Sequence, residues 1–157
     1  MTRHNEFMQA AFDAAASGME NNEGGPFGAV VVLEGKIIGR GNNKVTSHND
    51  PTAHAEVVAI RDACKTMQTF HLPDAIIYTN CEPCPMCMAA IYWANIKTVY
   101  YYYDRHQAED IGFSDKFIYD EFEKPINERS VAMKKIDMVV QNDVFDGWKN
   151  KSDKTPY

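Results

Sequence analysis

Three of the four cysteines fall within seven residues, at Cys81, Cys84 and Cys87, and Cys84 stands between two prolines. Pro85 starts a helix, so Cys84 and Cys87, three residues apart, share a face of its first turn and can hold one ion. That helix follows the short apolar run AIIYT (75–79), and a second chemically marked helix begins at His54-Ala55-Glu56. For one metal to take His54 together with Cys84 and Cys87, both helix starts must meet at the same end of a sheet. The chain is thereby held to folds in which strands feed helices that converge.

Two thiolates and a neutral imidazole give Zn2+ three protein ligands and leave one tetrahedral position open to water, the form of a catalytic site rather than a closed structural one. Water in such a position ionises near neutral pH, at a pKa of about 7. Glu56 lies too far round the helix from His54 to share the ion comfortably, and stands where a carboxylate can take a proton and pass it on. The same residues admit two other readings, an iron–sulfur centre on Cys81, Cys84 and Cys87, and a structural zinc module closed by Cys81. Cys64, far upstream on a helical stripe, is not where a ferredoxin run places its next cysteine. A closed site gives no reason for His-x-Glu at a helix start, and Cys81, directly after a strand, reads as a small buried hydrophobe.

Periodicity supplies the rest. Residues 5–20 place Phe7, Ala11, Phe12, Ala15 and Met19 on one helical face, ended by Gly24-Gly25-Pro26. FGAVVVL (27–33) and IIGRG (37–41) flank a short glycine turn as a hairpin. A polar loop (42–52) with Asp50 or Thr52 as cap leads into a helix over 53–68. Strands are expected at 75–79, 97–103 and 131–141, and helices at 83–95, 115–123 and 142–152, with 104–114 a loop and Pro125 a breaker. That order predicts an α/β, three-layer α-β-α fold with a mixed, mostly five-stranded central sheet.

No repeat or linker divides the chain, so residues 1–157 are expected to form a single domain. The charge sum, 16 basic against 22 acidic residues, is −6, which argues against nucleic acid as a partner. No leader-like apolar region opens the chain and no stretch approaches membrane-spanning length, so no membrane partner is expected. Clustered cysteines without an export signal point to the reducing cytoplasm. GGPFG (24–28) lacks the lysine and the strand-loop-helix setting of a phosphate loop. The Tyr100–Tyr103 run is expected to divide between sheet packing and a subunit contact.

The stretches PTAHAE (51–56) and EPCPMC (82–87) resemble the zinc nucleobase deaminases of the cytidine/deoxycytidylate deaminase superfamily. Within them, GGPFGAV (24–30), NDPTAHAEVVAIRDACK (49–65), YTNCEPCPMCMAAIYWA (78–94), GFSDKFIY (112–119) and the terminal Tyr157 are similar to the bacterial guanine deaminases. The resemblance implies a cytidine-deaminase-like fold and hydrolysis of guanine to xanthine and ammonia. One zinc per subunit would sit on His54, Cys84 and Cys87, with Glu56 moving protons to the ring and to the departing amine. It also implies that Phe27 stacks on the base, that the Asn43 amide contacts it, that Trp93 walls the pocket and that Asp115 holds the base. A C-terminal segment exchanged between protomers of a homodimer would bring Tyr157 over the partner's site.

A carboxylate at Asp115 accepts the N–H donors of guanine and repels the acceptor N1 of adenine. Each of these positions also has an ordinary structural use: Phe27 as a core aromatic, Asn43 (or its neighbour Asn42) in a turn, Asp115 as a helix cap. Deaminases of tRNA adenosine share the zinc signature. Here, however, residues 104–123 set Asp104, Glu109, Asp110, Asp115, Asp120, Glu121 and Glu123 against Arg105 and Lys116, a poor surface for a polyanion. Guanosine and triazine deaminases remain open alternatives at this point.

Overall fold

Residues 28–32 are buried without interruption, so the strand they form must be covered on both faces. In the computed structural model, which describes residues 2–157, this strand is β1 (Gly28–Leu33). It follows helix α1 (Arg3–Glu20) and is followed by β2 (Lys36–Asn42), α2 (Val45–His48), α3 (Ala55–Met67), β3 (Ile76–Cys81), α4 (Pro85–Trp93) and β4 (Thr98–Tyr103). Then come α5 (Arg105–Asp110), α6 (Lys116–Glu123), a 3-10 turn at Ile126–Glu128 and α7 (Val144–Asn150). Alternate side chains of β1 serve the two layers. Ala29 and Val31 join Ala55, Ala59 and Ile60 of α3 and Ile91 of α4, while Val30 and Val32 join Tyr78 of β3 with Phe7 and Met8 of α1 packed against them.

The sheet order is β2-β1-β3-β4, with β1 antiparallel to both its neighbours and β3 parallel to β4. The sheet is therefore mixed, as the element pattern predicts, but it has four strands and not five. The expected strand at 131–141 does not form. A strand exists only where a neighbour bonds its N–H and C=O groups, and among the described residues this segment enters no ladder. Two expected loops also contain short helices. Asp104 accepts from the backbone N–H groups of His106 and Gln107, and the Gln107 side chain returns to the Asp104 N–H, a capping box that starts α5 inside the loop placed at 104–114. The loop placed at 42–52 holds α2.

By contact the chain groups into two compact units, one running to Tyr119 and one covering Asp120–Tyr157. In the second, the Glu121 carboxylate is held down at about 2 by the Lys124 ammonium first and then by the N–H and hydroxyl of Ser130. A depressed carboxylate contributes its stability above its ordinary value of 4.5 and loses it as pH falls through the folded value. The protection of the Ser130 amide, the slowing of its exchange relative to the unstructured chain at the same pH, should accordingly be constant above pH 4.5 and fall as pH drops toward 2. Protection that ignores this window, or that is unchanged in Glu121→Gln, would contradict the assignment.

Candidate active site

His54 and Cys84 occupy the N-cap positions of α3 and α4, where Ser, Thr or Asp would ordinarily bond the first free N–H groups. Neither side chain makes a capping bond. Both turn to each other instead. His54 Nδ1 lies 3.6 Å from Cys84 Sγ and 3.5 Å from Cys87 Sγ, and the three ligand atoms all lie within 4.8 Å of one another. Tetrahedral zinc with its usual bond lengths to sulfur and nitrogen sets such N···S edges at roughly 3.6 Å, so the donor set fits that ion in both chemistry and spacing. Among the described residues the group stops at these three. Cys81 is buried outside this group, with its Sγ against the Asp104 carbonyl and its thiol pushed up to about 12 by burial, where it stays protonated.

The two cluster sulfurs share a proton unequally. Cys84 is lowered to about 4, chiefly by its hydrogen bond with Cys87, and the same contact followed by burial drives Cys87 upward. The free N–H groups and the dipole of α4 favour a thiolate at Cys84. His54 is raised, first by its contact with Cys84. Glu56, one residue into α3, is only 6% exposed and its carboxyl is raised above the ordinary range by that burial. Its Oε2 lies 3.4 Å from Cys87 Sγ, so a proton-carrying group abuts the ligand cluster without belonging to it.

A cleft of about 480 Å3 opens on this cluster, and Phe27, Asn43, His54, Glu56, Cys84 and Asp115 all line it. That volume falls within the range of small-molecule sites. The Phe27 ring meets Phe113 edge-on at 4.9 Å and 89°. Asn43 is buried, and its Oδ1 accepts from the N–H of Gly25 at 3.3 Å and of Val45 at 3.1 Å. Two converging donors fix which end of the amide is which, leaving the NH2 group to donate to a bound molecule. Asp115 is raised mainly by burial, a tendency opposed by the Arg105 guanidinium, which sits 4.8 Å over the Tyr119 ring. Trp93 ends α4, is 69% exposed and is not among the residues lining the cleft. Tyr157, also exposed, ends the second unit.

The structure adds two residues that the sequence reading passed over. Asn80, buried at the end of β3, accepts from the Gly28 N–H and donates to the Pro26 carbonyl, each at 2.9 Å, and so brackets Phe27 on both sides. The signal is a lone amide in a buried strand, which must spend its polar ends on something nearby. Glu82 accepts from the Arg105 N–H at 3.1 Å, tying the loop that carries the cysteines to the start of α5.

Residues 1–103 match the family model described as the cytidine and deoxycytidylate deaminase zinc-binding region. The chain is 47% identical to a guanine deaminase of Bacillus subtilis (strain 168) over 154 residues, covering 98% of this chain and 99% of that protein. An X-ray structure of guanine deaminase from Bacillus subtilis superposes with a TM-score of 0.94 at 46% identity, covering 100% of this chain and 99% of the other. A tRNA-specific adenosine deaminase of Agrobacterium fabrum is 45% identical, but over 101 residues that span 64% of this chain and 66% of the relative.

Proposed function

Because this chain belongs to the cytidine and deoxycytidylate deaminase zinc-binding family, and is homologous along its whole length to guanine deaminase, we propose that it hydrolyses guanine to xanthine and ammonia in purine breakdown. The observation that carries the reading is the juxtaposition of the His54, Cys84 and Cys87 ligand atoms with buried Glu56 at the foot of a base-sized cleft. Zinc held by those three residues would supply a Lewis acid that makes water reactive at neutral pH. Glu56 takes the proton released from water and gives it to the ring nitrogen beside C2, then takes a second proton from the new hydroxyl on C2, as that becomes the carbonyl of xanthine, and delivers it to the 2-amino group. The amine then leaves as ammonia, since NH2− is too basic to depart unaided. Burial that raises the Glu56 carboxyl suits it to both directions of transfer.

Around the base, Phe27 stacks, Asn43 donates to a guanine acceptor, and Asp115 accepts from its N–H edge. Trp93 forms a wall and Tyr157 closes the pocket in this reading. Both fit a homodimer better than a single chain. β4 is the edge of the sheet, with Tyr100, Tyr101, Tyr102 and Tyr103 exposed, and residues 131–141 expose Val131, Met133, Ile136, Met138, Val139 and Val140 without a strand partner among the described residues. Open edges and apolar segments of this kind invite pairing between copies. We therefore read residues 1–157 as one deaminase domain whose C-terminal segment is swapped, adding a strand to the partner's sheet and Tyr157 to the partner's site. The four reduced cysteines suit the cytoplasm, and no helix among the described residues is long and apolar enough to cross a membrane.

Zinc-loaded protein should release ammonia and xanthine from guanine, and lose that activity to a chelator. Conversion of tRNA adenosine in its place, weakening with salt, would assign the chain to the other branch of its family. A chain ending at Asn150, which lacks Tyr157, is expected to lose about tenfold or more in kcat/KM on guanine while keeping its zinc. Full activity in that truncation would remove Tyr157 from the site.

A further inference from the structure

We propose that Glu23, which lies outside the cleft, is the residue that positions Asn43 for the base. The inference rests on the reading of Asn43 as a base contact. Glu23 Oε2 accepts from the Asn42 amide at 2.6 Å, and Glu23 Oε1 pairs with the Lys44 ammonium at 3.2 Å. One carboxylate thus grips the two residues that flank Asn43. The Glu23 carbonyl accepts from the Ser47 N–H at 3.1 Å and from the Thr46 hydroxyl at 3.0 Å, and its own N–H bonds the Gly18 carbonyl at 2.9 Å. A single residue therefore joins the end of α1 to the exit of the hairpin and to α2.

Two glycines make room for this clamp. A Cβ on Gly18 would stand 2.2 Å from the Asn42 amide nitrogen, and one on Gly24 would stand 2.1 Å from Asn43 Oδ1 and 2.6 Å from its carbonyl oxygen. Both distances are far below contact. The amides of Asn42 and Asn43 are thus packed onto bare backbone and held there, Asn42 by the Glu23 carboxylate and Asn43 by the Gly25 and Val45 N–H groups. With the carboxylate removed, Asn42 and Lys44 are released, and the loop between them can carry the Asn43 NH2 group away from a bound base. Misplacement of a substrate-orienting group lowers turnover efficiency without touching the reacting atoms.

The test is a double-mutant cycle on zinc-loaded protein, following guanine turnover and thermal unfolding. Glu23→Ala should raise KM about tenfold with kcat within about threefold, the pattern of lost binding rather than lost chemistry. Glu23→Gln keeps an acceptor for Asn42 and should recover most of the loss. In an Asn43→Ala background, Glu23→Ala should add almost nothing, because the group it positions is gone. Unchanged KM in Glu23→Ala, or a loss of equal size with and without Asn43, would overturn the proposal while leaving the guanine reading intact. No effect of Asn43→Ala on guanine KM would overturn the base contact itself, and the proposal with it.

Discussion

Glu56→Gln is expected to cut kcat on guanine by roughly 10²–10⁴-fold while leaving zinc content and KM near those of the parent protein. The amide is close to isosteric and can keep a polar contact in the buried slot, but it cannot accept a proton from water and return it to nitrogen. Zinc should stay because the ligand atoms are His54 Nδ1 and the two sulfurs, with the Glu56 carboxylate beside the cluster and not in it. Measuring metal stoichiometry and steady-state rates on the same preparation separates the two roles. A near-normal rate would remove Glu56 from proton transfer. Loss of zinc together with rate would make it a ligand or a support for one.

How much of this site the sequence reveals follows from how local each feature is. Cys84-Pro85-Met86-Cys87 is legible because Pro85 fixes a helix start and three-residue spacing fixes a shared face, both set within one turn. His54 at a second helix start is legible for the same reason, although neither segment alone shows that the two meet. That depends on β1 and β3 lying side by side and being covered by α3 and α4 on one face. The α5 helix was also local, written in the Asp104 and Gln107 capping pair, and was hidden only by the polarity of its surroundings. The expected strand at 131–141 fails to form for a different reason. Alternation of Val, Met, Ile and Lys describes a surface able to pair, whereas pairing itself depends on a neighbour that no periodicity can name. Asn43 shows the limit most clearly. Its type and position can be read from the chain, but which end of its amide faces a ligand is decided by the N–H groups of Val45, two residues on, and of Gly25, which only the fold brings to it.

Cys84→Ser should abolish zinc binding and activity together without unfolding the protein. Cys84 is the N-cap of α4 and makes no capping bond there, while serine is among the best N-cap residues, so the helix keeps its start and can gain about 1 kcal/mol from the new bond. The hydroxyl stays protonated and is a poor zinc ligand at neutral pH. Zinc affinity should fall by well over the roughly 10–100-fold that loss of a supporting outer residue costs. Since zinc binds the folded state, added metal should raise the melting temperature of the parent protein and not of the variant. Cys81→Ser provides the control. Its sulfur lies outside the ligand group, so that variant should keep both metal and turnover. If instead Cys81→Ser lost zinc, the coordination shell would be closed by four protein ligands. The open position that hydrolysis requires would then be gone, and a structural role for the metal would account for the site.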